Sequence, residues 1–146
     1  MSAETLNEMI RHIRNCFHHL KLVADDLHDD LGITAAMRGV MESLEIDGEQ
    51  TVPQIAKSKG VSRQHIQLLV DALAEAEIVE VFSNPQHKRS YLVRLTEQGA
   101  RSFNNIRRKE AGVLRSLTAE FDEEALGSAT QTLAEFEAIL RQRITP

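Results

Sequence analysis

One cysteine, no tryptophan and a single tyrosine, Tyr91, occur in a chain of 146 residues. A lone cysteine cannot build an internal disulfide framework and suits a reducing cytoplasm. No apolar stretch approaches the roughly 20 residues that a membrane-spanning helix needs. The beginning, MSAETLNE, lacks the basic region and apolar run of a secretory signal. Also missing are a nucleophile elbow, a phosphate-binding glycine loop and an HExxH pair, and the carboxylates mostly occupy exposed helical positions. The expectation is a soluble, cytoplasmic, non-enzymatic protein that needs no cofactor or metal and has no membrane partner. Its length fits one domain, or one domain with an extended helical dimerisation part. Nothing is low-complexity, and no internal repeat is visible.

The formal net charge of −5 is unevenly distributed. From Pro53 to Arg101 the chain holds seven basic and five acidic residues, a local balance of +2. The remainder holds ten basic and seventeen acidic residues, or −7. Charges beyond a Debye length of about 8–10 Å are screened, so a local basic surface is sufficient for phosphate contacts.

The stretch from Thr51 to Leu73, TVPQIAKSKGVSRQHIQLLVDAL, reads as a short helix, a tight turn and a second helix. Pro53 suits a first helical turn, where a missing N–H costs little. Gly60 can take the positive φ that ends a helix, and Ser62 is a good N-cap. Beyond it, Ile66, Leu69, Val70 and Leu73 recur at i, i+3, i+4 and i+7, one apolar helical stripe. Gln64, Gln67 and Asp71 lie opposite, flanked by Arg63 and His65. An apolar back and an amide-rich front, entered through a glycine-bearing turn, suit a helix that lies in a DNA major groove. Glutamine can read adenine with two hydrogen bonds, and arginine can read guanine. An ordinary two-helix corner of a globular protein could share the apolar pattern.

The segment after this helix pair favours DNA. Ile78–Phe82 and Tyr91–Leu95 are two short β-rich runs around the polar loop SNPQHKRS. A hairpin with Lys88 and Arg89 at its tip, placed after a helix–turn–helix, makes a winged helix. A cation at such a tip suits a narrow minor groove; the plain alternative is a solvated turn.

Long helices flank this part. In residues 5–31, Leu6, Ile10, Ile13, Phe17, Leu20, Ala24, Leu27 and Leu31 are spaced alternately four and three apart, a heptad seam. About 26 residues at 1.5 Å each span about 40 Å, more than a small domain needs for its own core. Gly32 ends this helix. Thr34 caps the next, with Met37, Val40, Met41 and Leu44 inward, and Asp47-Gly48 marks a turn. Thr96 caps a later long helix with Phe103, Ile106, Val113 and Leu117 inward. Asp122 caps the last, with Phe121 and Leu126 at staple spacing and a stripe through Leu126, Ala129, Leu133, Phe136, Leu140 and Ile144.

This order, together with QIAKSKGVSRQHIQLLVDAL and NPQHKRSYLVRLTEQG, resembles the MarR family of winged-helix transcription regulators across the whole chain. The ending of the second segment matches that family's Leu-Thr-x-x-Gly. The resemblance implies a mainly α fold with a small β-hairpin wing, a winged helix–turn–helix domain and a helical dimerisation region. Residues 1–33 would be the N-terminal dimerisation helix, 34–99 the DNA-binding domain and 100–146 the C-terminal dimerisation helices. It implies a homodimer on a pseudo-palindromic duplex, and a small aromatic or anionic effector between the dimer helices and the winged part. Ser62, Arg63, Gln64, His65, Gln67, Lys88 and Arg89 are the expected DNA-binding residues. Three positions depart from the family pattern. His87 stands where an Asp often braces the wing arginine, Glu77 replaces a frequent Gly, and Leu68 stands where a polar residue is usual. Leu68 could meet a thymine methyl group or be partly exposed.

The first helix carries a second candidate chemistry. Cys16-Phe17 resembles the start of the reactive-cysteine segment of the peroxide-sensing OhrR branch, whose members also use tyrosines that this chain lacks there. A lone cysteine on an apolar helix is ordinarily a buried small hydrophobe. His12, Cys16 and His19 share a helix face at i, i+4 and i+7 and are the effector or redox candidates; no matched carboxylate completes a metal site. The Asp25, Asp26, Asp29 and Asp30 group reads as a solvated face. A thiol-based regulator using Cys16 and a winged helix used only for protein contact are the alternatives.

Overall fold

The computed structural model describes residues 2–87 and 89–144. In chain order these form α1 (Ala3–Leu27), α2 (Ala35–Asp47), α3 (Val52–Lys59), α4 (Arg63–Glu75), β1 (Val79–Ser83), β2 (Tyr91–Leu95), α5 (Glu97–Thr118) and α6 (Glu123–Ile144). The fold is mainly α with a two-stranded antiparallel wing. It divides into two compact units, Met1–Arg107 and Arg108–Pro146.

Local chemistry sets most boundaries. Thr34 Oγ1 accepts from the Met37 N–H (3.1 Å), and Ser62 Oγ accepts from the His65 N–H (3.1 Å). Thr51 and Gln54 form a reciprocal capping box at the start of α3, which satisfies two otherwise orphaned donors. Pro53 lies in the first turn of α3, and Gly60 closes that helix at φ +67°. In this left-handed region glycine carries no Cβ penalty.

The first helix departs from the expected span. It stops at Leu27, four residues short of 31, and a 3₁₀ turn follows at Asp29–Leu31, closed by Gly32. The turn brings His28 and Ile33 into buried positions while Leu31 stays exposed. Two buried anchors outweigh one more heptad residue. Asp25 is not simply solvated: its Oδ1 accepts from the Ala35 N–H at 2.6 Å, tying α1 to the start of α2.

The core of the first unit is made by Met37, Val40, Met41 and Leu44 of α2, Ile55 and Ala56 of α3, and Ile66, Val70 and Leu73 of α4. Ile33, Ile78, Val79, Val93, Phe103 and Ile106 complete it. Each fully buried large aliphatic side chain contributes about 1.5–3 kcal/mol relative to exposure. The strands pair in the register Val79–Leu95, Val81–Val93 and Ser83–Tyr91. Gln50 adds a single antiparallel bridge to Val93, exchanging backbone hydrogen bonds at 3.1 and 2.7 Å.

The Leu-Thr-x-x-Gly segment, Leu95 to Gly99, has a physical reason. Thr96 Oγ1 accepts from the Gly99 N–H (2.9 Å) and donates to the Glu77 carbonyl (2.6 Å). A Cβ on Gly99 would stand 2.0 Å from the Ile78 carbonyl oxygen, so α5 starts against a backbone that only glycine lets so close. Glu77 itself sits at φ +61°, where non-glycine residues carry strain of about 1 kcal/mol or more.

Along α5, Phe103 and Ile106 are buried as expected, whereas Val113 is half-buried and Leu117 exposed. The apolar core ends at Ile106. In the second unit, Asp122 caps α6 by accepting from the Ala125 N–H (3.0 Å). The Phe121–Leu126 spacing does not produce a shielded staple, since both residues are exposed. Among the described residues, neither α1 nor α6 buries any side chain.

Candidate nucleic-acid interface

The helix α4 turns two stripes in opposite directions. Ile66, Val70 and Leu73 are buried, with Leu69 half-buried beside them. Gln64, Gln67, Leu68 and Asp71, again at i, i+3, i+4 and i+7, are all exposed. Leu68 is 63% exposed and is the apolar member of this stripe. Gln67 Nε2 donates to Asp71 Oδ1 at 2.8 Å.

The expected DNA-binding residues fall into separate places. Ser62 is the N-cap, its oxygen already accepting from the backbone. Arg63 is exposed at the first position of α4 and borders a groove with Pro53, Gln54 and Lys57. Gln67 and the wing's Arg89 line one groove of about 230 Å³, together with Val81, Val93 and Tyr91. Gln64 projects near the start of the same outward stripe. Lys88 lies outside the described residues. His65 turns elsewhere, into a cavity of about 420 Å³ between α1, α2 and α4.

The wing loop is braced without an aspartate at position 87. Asn84 Oδ1 accepts from the Gln86 N–H (3.0 Å), and Asn84 Nδ2 donates to Ser90 Oγ (3.1 Å). Backbone bonds from His87 to Asn84 and from Ser90 to His87, each 3.2 Å, complete the turn that presents Arg89. Asn before Pro is a turn former because its side chain can bond the backbone two residues on. That local chemistry could have been read from Asn84-Pro85.

Electrostatics narrows the cationic surface. Arg94 pairs with Glu80 (2.5 Å) and lies over the Phe82 ring, 4.3 Å from its centroid. Arg101 pairs with Glu97 at 3.2 Å. Of the basic residues between Pro53 and Arg101, Lys57, Lys59, Arg63 and Arg89 have no acidic partner among the described residues. Three of them lie on the helix–turn–helix and one on the wing.

The 420 Å³ cavity was not anticipated residue by residue. Its walls include Phe17 and Leu20 of α1 and Leu69 of α4, together with Lys21, Lys59 and His65. These come from sequence positions far apart, so no local pattern could have assembled them. Cys16, one residue from Phe17, is exposed and not the buried hydrophobe that a lone helical cysteine suggests. His12 and His19 are exposed as well. Among the described residues, no three His, Cys, Asp or Glu side chains gather closely enough to hold a metal ion. No helix among them is long and apolar enough to cross a membrane.

No protein-family model matches the chain. Uncharacterized proteins of Mycobacterium bovis and Mycobacterium tuberculosis are 34% identical over 91 residues, 62% of this chain. The match spans 64% of the length of these relatives. Solved structures cover far more. A MarR family transcription regulator superposes with a TM-score of 0.82 at 23% identity, covering 95% of this chain and 94% of its own. A MarR family protein from Bacillus stearothermophilus gives 0.80 at 18% identity, covering 97% and 99%. A mutant MarR from E. coli, complexed with operator DNA, gives 0.74 at 22% identity, covering 97% and 96%. The chain has the winged-helix fold of the MarR family of transcription regulators.

Proposed function

We propose that the protein is a sequence-specific, DNA-binding transcriptional regulator, a repressor that acts as a homodimer on a pseudo-palindromic operator. The observation that carries this reading is the outward stripe of α4, exposed and amide-rich, sharing a groove with Arg89 of the wing. Gln64 and Gln67 are assigned to base edges, and Ser62, Arg63 and Arg89 to phosphates or the minor groove. His65 has a second assignment, to the effector cavity. The operator-bound MarR from E. coli supports the reading by analogy of fold.

Residues 1–33 and 100–146 are assigned to dimerisation and 34–99 to DNA binding. Phe17 and Leu20 are 72% and 65% exposed on α1, and Leu133, Leu140 and Ile144 are exposed on α6. Apolar rows of this length suit a second copy of the chain. Two recognition helices related by a two-fold axis would meet half-sites about 10 bp apart. The cavity lined by His65 is mostly apolar and also includes Lys21 and Lys59, which suits a small aromatic anion whose binding releases DNA.

Selection of duplexes from a random pool, followed by titration at two salt concentrations, tests the central statement. A recovered two-fold consensus, bound less tightly at higher salt, is expected. Recovery of no duplex at low salt would leave the fold as a protein-contact module. Cys16 is assigned no role in release, although its exposure makes the thiol-based alternative chemically accessible. The tyrosines that would hold a thiolate are missing, since Tyr91 lies on the wing.

A further inference from the structure

The side chains of the α4 stripe are arranged to do more than enter a groove. Resting on the proposed function, we propose that Gln67 and Leu68 together read an adenine and a nearby thymine, with Asp71 as the residue that positions Gln67.

An ionised carboxylate only accepts hydrogen bonds. The Gln67 atom 2.8 Å from Asp71 Oδ1 is therefore the amide nitrogen, which removes the usual ambiguity between the two amide atoms. One N–H and the carbonyl oxygen of Gln67 remain for a partner. Adenine offers an acceptor at N7 and a donor at N6, and both match. Guanine offers two acceptors, N7 and O6, so the fixed carbonyl of Gln67 would face O6 without a proton between them. Released from Asp71, the amide could rotate and donate to guanine. Asp71 thus sets the preference for adenine over guanine.

Leu68 is the apolar member of this stripe, and 63% of it is exposed. In a major groove the apolar counterpart is the C5-methyl of thymine. Asp71 also brings a negative charge to a surface that would approach phosphates. Its removal should strengthen general binding while weakening discrimination, a combination that a merely structural residue would not give.

The test uses the full-length protein and the duplex it selects from a random pool. Replacing the contacted thymine by deoxyuridine removes only the methyl group. The wild type should lose about fourfold in affinity, the worth of one buried methyl, and Leu68→Ala should lose nothing further. Exchanging the contacted A·T pair for G·C should weaken the wild type by roughly 5- to 150-fold. Asp71→Asn should reduce that ratio at least about threefold without weaker binding to a scrambled duplex, on the same hydrogen-bond logic. Gln67→Ala should abolish the ratio, and Asp71→Asn should then add nothing. Equal deoxyuridine sensitivity in wild type and Leu68→Ala, or an unchanged ratio in Asp71→Asn, overturns the proposal. Failure of the wild type to select any duplex would instead sink the functional reading on which it rests.

Discussion

Helices α4 and α1 carry apolar stripes of similar regularity, yet one stripe is buried and the other open. Ile66, Val70 and Leu73 of α4 meet α2, α3 and the wing and lose all contact with solvent. Phe17 and Leu20 of the α1 stripe remain largely exposed, while Ile10, Ile13, Ala24 and Leu27 are half-buried. The period of a stripe states that a face must be covered, and does not say by what. In α4 the cover arrives from residues within the same unit, because α2 and the hairpin close on it. For α1 and α6 the rows stay open, and a second copy is the proposed cover.

The sharpest way to break this comparison is at the close approach that completes the buried side. Gly99→Ala would drive a Cβ into the Ile78 carbonyl, 2.0 Å away. We expect a loss of about 3 kcal/mol, read as a lowered denaturant midpoint; an unchanged midpoint would show that α5 can move away freely. Next come the open stripes. Leu20→Asp or Leu133→Asp should leave the protomer folded but weaken association by at least about 2 kcal/mol, roughly thirtyfold. Sedimentation decides this, and a wild type that is monomeric at micromolar concentration removes the dimer altogether.

On the outward face, Gln64→Ala should cost about 1–3 kcal/mol on the best duplex and relax preference at one position per half-site. Arg89→Ala should weaken binding to most sequences and flatten its salt dependence. If neither changes binding, the DNA surface lies elsewhere. A smaller effect, and of opposite sign, is expected at Glu77→Gly. Relief of the positive φ outweighs the added chain entropy, for a gain of about 0.5 kcal/mol in thermal or chemical stability; destabilisation would mean that the Glu77 side chain matters more than its backbone. Smallest of all, Cys16→Ser should release DNA under peroxide no differently from the wild type. A mutant that holds the duplex while the wild type lets go would revive the thiol-based alternative.

Local chemistry made much of this architecture legible. Thr34, Ser62, Thr96 and Asp122 cap the helices they precede, and Gly60 takes its positive φ, because a cap or a left-handed turn is decided within a few residues. The face of α4 follows from its 3.6-residue period. The end of α1 was less legible, because Ile33 joins a core whose other members are distant in sequence, and His28 is buried as well. The role of Asp25 was hidden for the same reason: its acceptor function appears only where α2 begins ten residues later.

The sequence by itself determined the helix order, the caps, the basic bias between Pro53 and Arg101 and the two-faced pattern of α4. Periodicity and capping depend on neighbours no more than a few turns away, so these could be read without coordinates. Tertiary structure decided which cations are paired, since Arg94 meets Glu80 only across the hairpin. It also decided that His65 lines one cavity while Gln67 and Arg89 line another groove. Such pairings join positions far apart along the chain, and they exist only once the core has set the distances between its elements.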